Sequence, residues 1–306
     1  MSRRGDSKAD PRGHGRGESG NRRATGGERR DDVARDTLEM VLDRVFRPGR
    51  WAARAAYAAR LQGARPIEVD RLLIPVKRSG APPLRVAFAS DFHAGATTDL
   101  RVLEAACEAI ANEAPDVLLL GGDFVTTRAR DIVELAPLIA AIPAPLGKFG
   151  VFGNHDRRAN RADLSHALAQ ARVRMLVNEV ATLSAPHDDV SIIGLDDPIR
   201  GDPQYQGPGN PSAISIVLMH APDGLMTVGD RHFDLALCGH THGGQITIGP
   251  LKPYLPHGKL SREYAGGLYR MGPDGNRPLV VSRGVGCSTI PVRVGARAQV
   301  HVITIG

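Results

Sequence analysis

The chain contains few aromatic residues, few cysteines and no long apolar run. Aromatic residues make up 4% of its 306 residues, so aliphatic side chains must form most of the core. The three cysteines are an odd number and lie far apart, which argues against a disulfide framework and favours a reducing, cytoplasmic compartment. No stretch approaches the ~20 apolar residues of a membrane span, and none follows Arg3-Arg4 to complete an export signal. The composition therefore predicts a globular protein with neither a membrane span nor a signal peptide.

The positive charge is concentrated at one end of the chain. Residues 1–78 hold 19 Lys/Arg and 11 Asp/Glu, a net charge of +8, whereas residues 79–306 hold 20 and 22, a net charge of −2. The overall pI near 9.5 therefore reflects the N-terminal part. It gives no reason to predict specific nucleic-acid binding by the rest of the chain, although weak non-specific binding by the basic end stays open.

Composition divides the chain into three segments. Residues 1–33 have almost no apolar side chains to offset the entropy of ordering, and we predict a disordered basic tail. Residues 34–66 are predicted to form a helical N-terminal segment, in which a Pro-Gly pair separates an amphipathic run from an Ala-rich one. Residues 67–306, where strand and helix patterns alternate, are predicted to form the main domain.

The helical segment has two interpretations. Its apolar residues recur every three to four positions, and its Ala-rich run from Trp51 to about Leu61 carries Arg54 and Arg60. We favour helices that pack on the main domain or on a partner, because alanine contributes little to membrane partitioning. Peripheral contact with an anionic membrane surface, at the inner face, is the alternative.

Short apolar runs in the main domain predict its strands. We predict helices from Asp99, as a cap, to about Glu113, over 131–142 and over Arg161–Arg172. The predicted strands are Leu84–Ala89, Val117–Leu120, Phe149–Phe152, Val190–Gly194, Ile214–Met219, Leu235–Cys238, Gln245–Ile248, Leu279–Ser282 and Gln299–Ile305. Strands and helices that alternate early, followed by a strand-rich half, predict an α/β domain with one sheet or a pair of sheets covered by helices.

Five short polar clusters follow apolar runs in a fixed order. Each supplies carboxylate, amide or imidazole groups, and in α/β domains such groups gather beyond the carboxyl ends of the strands. The clusters are Asp91-Phe-His93, Gly121-Gly-Asp123, Gly153-Asn154-His155-Asp156, a lone His220, and Gly239-His240-Thr-His242-Gly243. Together they contain seven candidate ligands, enough for a pair of adjacent metal ions.

Each cluster alone also has a plain structural interpretation. Asp91 and His93 could belong to a surface turn, and His220 could be a hydrogen-bonded core histidine. Asp123 is more informative, because a carboxylate beside an apolar strand is costly to bury without a cation. The strongest single signal is His240 and His242, two imidazoles in a glycine-bounded turn. The order of all five clusters favours the metal interpretation.

These motifs resemble those of the calcineurin-like metallophosphoesterase family. The pattern D-x-H, G-D-x, G-N-H-D, a single H and G-H-x-H covers roughly residues 84–245. The resemblance implies a two-sheet β-sandwich flanked by helices, a four-layer αββα arrangement. It also implies a dinuclear centre of Mn, Fe or Zn ions and hydrolysis of a phosphodiester or pyrophosphate bond by a metal-bridging hydroxide.

The resemblance also implies a role for each matching residue. Asp91, His93 and His242 would hold the first ion, and Asn154, His220 and His240 the second, with Asp123 bridging the two. His155 would be the general acid. Beyond the family pattern, we expect Asp156 to orient the imidazole of His155, and Arg157 and Arg283 to contact the substrate.

The C-terminal half resembles a bacterial phosphodiesterase subfamily. Extended similarity over Gly239–Gln245, Pro250–Tyr264 and Ser282–Gly286 implies a phosphoester substrate that is lipid-linked or a nucleotide. Three alternatives remain open. They are a protein phosphatase, a nuclease and a metal-bound interaction scaffold without catalysis.

Overall fold

The computed structural model describes residues 37–38, 40–47, 50–63, 66–76, 80–211, 213–247, 258–272 and 274–306. The predicted disordered tail, residues 1–33, and most of the Pro/Tyr-rich segment Pro250–Tyr264 lie outside these residues. Residues 40–46 are helical, and helix α1 follows at Trp51–Ala58.

Among the described residues, the first sheet has six strands. They are β1 Glu68–Ile74, β2 Leu84–Ala89, β3 Val117–Leu120, β4 Lys148–Gly150, β5 Val173–Met175 and β12 Gln299–Ile305. Strands β2 to β5 run parallel to one another, while β12 is antiparallel to β2 and parallel to β1. The strand order is β1-β12-β2-β3-β4-β5.

The second sheet, in the part of the chain that the structure describes, also has six strands. They are β6 Glu179–Thr182, β7 Val190–Gly194, β8 Ile214–Leu218, β9 Leu235–Cys238, β10 Gly267–Met271 and β11 Arg277–Val281. Strands β7, β8, β9 and β11 are parallel, and the edge strands β6 and β10 pair antiparallel to β7 and β11, respectively. The strand order is β10-β11-β9-β8-β7-β6.

Alternating side chains of the strands build a core between the two sheets. In β2, Leu84, Val86 and Phe88 belong to the inter-sheet core, while Ala87 and Ala89 belong to the core under the helices. This alternation is the period of two expected of a strand. Each large aliphatic side chain buried in this way stabilises the fold by about 1.5–3 kcal/mol.

Helices cover the outer face of the first sheet, and shorter ones lie over the second. Asp99 caps the helix Leu100–Asn112 by accepting a hydrogen bond from the N–H of Arg101, as its side-chain chemistry predicts. The predicted two-sheet sandwich flanked by helices is confirmed. The helices are α2 Leu100–Asn112, α3 Ile132–Ala141, α4 Asn154–Arg158, α5 Arg161–Gln170, α6 Leu225–Val228 and α7 Lys259–Glu263.

The prediction of a strand over Gln245–Ile248 is wrong for the described residues 245–247. Gln245 has a φ of 44°, a left-handed backbone that cannot continue a strand. Ile246 makes only isolated bridges, to Val294 and Gly295. Strand β4 also begins and ends earlier than the predicted Phe149–Phe152.

Ion pairs and buried alanines pack residues 40–47 and 50–58 on the main domain. Nη2 of Arg47 lies 2.8 Å from Oδ2 of Asp131, and Arg50 pairs with Glu134. The buried face of α1 consists of Ala52, Ala53 and Ala56. No helix among the described residues combines the length and the apolar character needed to cross a membrane.

Candidate metal centre

Loops that follow parallel strands bring the seven predicted donors to one end of the two sheets. Asp91 and His93 follow β2, Asp123 follows β3, and Asn154 follows β4 at the start of α4. His220 follows β8, while His240 and His242 follow β9. Since the carboxyl ends of neighbouring parallel strands lie at the same edge of a sheet, each sheet presents its donors together. All seven side chains are buried, with at most 4% of the surface of any of these residues exposed.

The first group of donors consists of Asp91, His93 and His242. One ligand atom from each residue lies within 4.8 Å of the others. Nε2 of His93 is 3.0 Å from Nε2 of His242, and the latter atom is 3.5 Å from Oδ1 of Asp91. The structure thus brings together the three residues that the resemblance assigned to the first ion.

The second group consists of Asp123, His220 and His240, whose ligand atoms also lie within 4.8 Å of one another. Nε2 of His220 is 3.3 Å from Oδ2 of Asp123, 3.1 Å from Oδ1 of Asn154 and 3.2 Å from Nδ1 of His240. Oδ2 of Asp123 also lies 3.5 Å from Nε2 of His93. The carboxylate of Asp123 therefore lies between the two groups.

Five of the seven donors have a left-handed backbone, which is unusual for residues other than glycine. Such a conformation costs about 1–3 kcal/mol at each position and persists only where the surrounding structure enforces it. The φ angles are 54° for Asp91, 46° for His93, 54° for Asp123, 69° for His240 and 52° for His242. Stability is thus spent on turning these side chains toward one another.

Two glycines leave space for the donors. A Cβ on Gly153 would overlap Oδ1 of Asp123, and a Cβ on Gly239 would overlap Oδ2 of Asp91. The glycines of the G-N-H-D and G-H-x-H motifs are therefore required by close approach to a carboxylate, rather than by a left-handed turn at these two positions.

Burial and mutual repulsion shift the pKa values of the clustered groups. Burial raises the pKa of Asp91 to about 6, and the neighbouring Asp123 adds to the rise. Burial would also raise the pKa of Asp123, but the imidazoles of His220 and His155 hold it well below its ordinary range. Burial lowers the pKa of His93 and of His242, so both favour the neutral form that can bind a metal ion.

The donor set fits divalent cations. Carboxylate, amide and imidazole groups suit Mn, Fe or Zn, and the cluster contains no buried lysine or arginine pairing with either carboxylate among the described ion pairs. The Nδ1 atoms of His220 and His93, one histidine from each group, differ in their hydrogen bonding. Nδ1 of His220 lies 2.8 Å from the carbonyl of Gly121, whereas Nδ1 of His93 has no hydrogen-bond partner among the described residues.

His155 lies at the edge of both groups. Its Nδ1 is 2.8 Å from the carbonyl oxygen of Thr126 and 2.5 Å from Nη2 of Arg158. A ligand atom of His155 also lies within 4.8 Å of those of His93 and Asp123. The position suits a residue that exchanges protons beside the centre, and it equally suits a ligand.

Asp156, the residue expected to orient the imidazole of His155, accepts backbone hydrogen bonds with both of its carboxylate oxygens. Its Oδ2 accepts hydrogen bonds from the N–H groups of Asp123 at 2.7 Å and Gly153 at 3.0 Å. Its Oδ1 accepts from Phe124 at 2.9 Å and Val125 at 3.3 Å. Because both oxygens are taken by backbone groups, Asp156 shapes the loop that presents Asp123.

The two arginines expected at the substrate are held in ion pairs. Nη1 of Arg157 lies 2.8 and 2.9 Å from the two carboxylate oxygens of Asp196. Arg283 pairs with Glu68 of β1. Both side chains are partly exposed, but their charges are matched within the protein.

Three residues near the centre were missed in the sequence. Arg293 is buried, and its Nη2 lies 3.0 Å from Nδ1 of His242. Asp197 is buried near His220, and burial raises its pKa to about 6. Ser288 places its Oγ 3.5 Å from Nε2 of His155. Of these, only Asp197 had a signal, because it follows the apolar strand β7 as the donors follow theirs.

Comparisons with known proteins agree with this geometry. The family model described as calcineurin-like phosphoesterase matches residues 84–244. Phosphodiesterase YaeI of Escherichia coli (strain K12) is 29% identical over 250 residues, which cover 78% of this chain and 88% of YaeI. The uncharacterized metallophosphoesterase YkuE of Bacillus subtilis (strain 168) is 31% identical over 71% of this chain and 77% of its own length.

A third relative carries a more specific name. The UDP-2,3-diacylglucosamine pyrophosphatase LpxG of Chlamydia trachomatis is 27% identical over 274 residues, which cover 70% of this chain and 81% of LpxG. The family model spans more than half of the chain and contains all seven donors. This chain belongs to the calcineurin-like phosphoesterase family, and it is a hydrolase of phosphoric ester bonds.

Proposed function

We propose that this protein hydrolyses a phosphodiester or pyrophosphate bond at a centre of two metal ions, with His155 as the general acid. The observation that carries the proposal is the convergence of six buried His and Asp donors in two groups that meet at Asp123, with Asn154 in contact with His220. A single ion would need only one such group. Two ions about 3.5–4 Å apart are the usual arrangement for in-line displacement at phosphorus.

In this proposal the residues divide between metal binding and proton transfer. Asp91, His93 and His242 would hold one ion. His220, His240 and Asn154 would hold the other, and Asp123 would be shared between the two. Bound ions would activate a water molecule and neutralise charge on the phosphoryl oxygens. His155 donates a proton to the leaving oxygen, a contribution typically worth about a hundred- to ten-thousandfold in rate.

A lipid-linked or nucleotide diphosphate is the substrate class that we propose to test first. The support is the name of LpxG, a pyrophosphatase that acts on a diacylated sugar nucleotide, together with the phosphodiesterase name of YaeI. A centre with two ions can hold adjacent phosphoryl oxygens of either bond type.

Peripheral contact with a membrane would suit such a substrate. The support is a set of exposed apolar side chains among residues 40–47 and 50–51, where Met40, Val41, Val45 and Trp51 are each more than half exposed. Sedimentation with anionic phospholipid vesicles, compared with neutral ones, tests this. Recovery of all the protein in the supernatant with both vesicle types would contradict the contact.

The proposed activity can be tested by metal analysis coupled to a substrate screen. Purified protein should bind about two equivalents of Mn, Fe or Zn and cleave a diester or pyrophosphate faster than a monoester. The substitution His155→Ala should lower turnover about a hundred- to ten-thousandfold while leaving the metal content unchanged. Loss of one equivalent of metal in this variant would instead make His155 a ligand. Failure of the metal-loaded protein on all three substrate classes would contradict the proposed function.

A further inference from the structure

Residues 286–291 pass beside the site without forming a helix or strand. Residues distant in sequence nevertheless make hydrogen bonds with several successive backbone N–H and C=O groups of this segment. The N–H of Gly286 donates to the carbonyl of Asp91 at 2.7 Å. The hydroxyl of Thr97 donates to the carbonyl of Cys287 at 2.6 Å, and the N–H of Cys287 donates to the hydroxyl of Thr98 at 3.0 Å. This segment is therefore tied to the loop that carries Asp91 and His93.

Two buried glutamines hold the second half of the segment. Nε2 of Gln245 donates to the carbonyls of Ser288 at 2.9 Å and Ile290 at 3.2 Å, and Oε1 accepts from the N–H of Ser288 at 2.9 Å. Nε2 of Gln62, from the N-terminal segment, donates to the carbonyl of Pro291 at 3.1 Å. Each glutamine is 1% exposed. Hydrogen bonds from buried side chains hold this backbone in one conformation, as expected of a preorganised segment.

The segment holds the hydroxyl of Ser288 against His155. Oγ of Ser288 lies 3.5 Å from Nε2 of His155, and the two residues are 1% and 4% exposed. The next residue, Thr289, has a φ of 61°, which is a strained conformation for a β-branched side chain. Strain of this kind is stored preferentially at functional sites.

We propose that Ser288 is a positioning residue for His155, an inference that rests on the proposed role of His155 as the general acid. Nδ1 of His155 is occupied by the Thr126 carbonyl or by Arg158, so Nε2 is the nitrogen that exchanges a proton with the substrate. A hydroxyl both donates and accepts, so Ser288 can bond Nε2 before and after proton transfer and keep the ring aligned.

The step in which this alignment matters is departure of the leaving group. Water adds to phosphorus, the bond from phosphorus to the leaving oxygen breaks, and the electron pair stays on that oxygen. The proton on Nε2 of His155 joins the oxygen, and the proton released by the attacking water restores the imidazole. A poorly aligned proton donor transfers less of its proton to the departing oxygen in the transition state. Leaving groups of high pKa depend most on that proton, so their departure is slowed most.

The test compares Ser288→Ala with the unmodified protein on two methyl phosphodiesters that differ only in the leaving group. The better leaving group is 4-nitrophenolate and the poorer one is phenolate. We expect kcat to fall about tenfold for the phenyl ester and less than about threefold for the 4-nitrophenyl ester. Metal content and melting temperature should not change. Ser288→Thr keeps the hydroxyl and should restore most of the loss.

Two further variants separate positioning from packing. Ser191→Ala removes a comparably buried hydroxyl from β7 that has no hydrogen-bond partner among the described residues, and it should leave both rates unchanged. In a His155→Ala background, Ser288→Ala should have no further effect beyond about twofold, because residues that act as a unit are not additive. Equal losses on both esters, or full additivity with His155→Ala, would overturn the positioning role.

The outcome also distinguishes this inference from the proposed function. If His155→Ala loses metal, or if its kcat falls by the same factor on both esters, the general acid assignment fails. The inference about Ser288 then fails with it. If His155→Ala behaves as a lost acid but Ser288→Ala affects both esters alike, only the positioning role fails.

Discussion

Two kinds of polar residue meet at the carboxyl end of the sheets, and their surroundings differ. The donor residues have short side chains on loops directly after strands, and their ligand atoms converge within a few ångströms. The arginines beside them have long side chains that pair with carboxylates of the protein, Arg157 with Asp196 and Arg283 with Glu68. The first kind could share a metal ion, whereas the second kind is already paired within the protein.

The difference follows from side-chain length. The position of an Asp or His side chain is set largely by the backbone, and the backbone here is fixed by the parallel strands and by left-handed turns. An arginine carries about 2 kcal/mol of rotamer entropy and can reach whichever carboxylate lies nearby. Strand-end loops therefore predict where donors meet, but they do not predict what an adjacent arginine contacts.

Removal of the shared carboxylate should have the largest effect. Asp123→Asn keeps the shape of the side chain but removes the charge between the two groups. We expect loss of at least one equivalent of metal and a fall in diester turnover of at least about a thousandfold. Asp163→Asn, an exposed position on α5, is the matched control and should match the unmodified protein. Full metal content in Asp123→Asn would show that the Asp123 carboxylate is not needed to bind metal.

A smaller loss is expected when a donor is displaced rather than removed. In Gly153→Ala the new Cβ overlaps Oδ1 of Asp123 and lies 2.6 Å from Cε1 of His220, so both donors must shift. A displacement of about 1 Å at reacting groups costs about a hundredfold in kcat. Gly209→Ala is the control, because a Cβ there meets nothing within 4 Å. Unchanged kcat and metal content in Gly153→Ala would show that the donor geometry is tolerant.

A buried carboxylate outside the donor set should reveal itself through pH. Burial raises the pKa of Asp197 to about 6 from 3.8, so the folded protein keeps a proton that the unfolded chain releases. Stability from this group is therefore present below pH ~4 and is lost as pH rises to ~6. Relative to Asp197→Asn, the metal-free protein should lose about 3 kcal/mol of unfolding free energy between pH 4 and pH 7. Chemical denaturation gives the unfolding free energy of both proteins at each pH. If the two free energies change in parallel between pH 4 and pH 7, the raised pKa is contradicted.

The smallest effect on catalysis is expected at an arginine. Arg157→Gln breaks the pair with Asp196, and we expect kcat and KM to change by less than about threefold while unfolding free energy falls by about 1–3 kcal/mol. Arg174→Gln, which breaks an exposed pair with Glu179, should cost at most about 1 kcal/mol. A rise in KM of tenfold or more for Arg157→Gln would mean that this arginine leaves Asp196 to bind substrate.

The strands that could be predicted from the sequence are those buried on both faces. β2, β3, β7, β9 and β12 have the predicted bounds, and nearly all of their residues are buried. The four strands without a prediction, β1, β5, β6 and β10, are the two edges of each sheet. Edge strands are partly exposed and carry polar residues, so they lack the apolar run that reveals a central strand.

The sequence by itself determined the chemistry of the donors, their order and the strands that deliver them. Only the tertiary structure decided which donors share a group, how Asp156 and the arginines are engaged, and which hydroxyl faces His155. The physical reason is separation along the chain. A strand end is a local property, whereas the contact between Ser288 and His155 depends on hydrogen bonds from Gln245 and Gln62, residues far apart in sequence. Such contacts are set by packing, which no local pattern records.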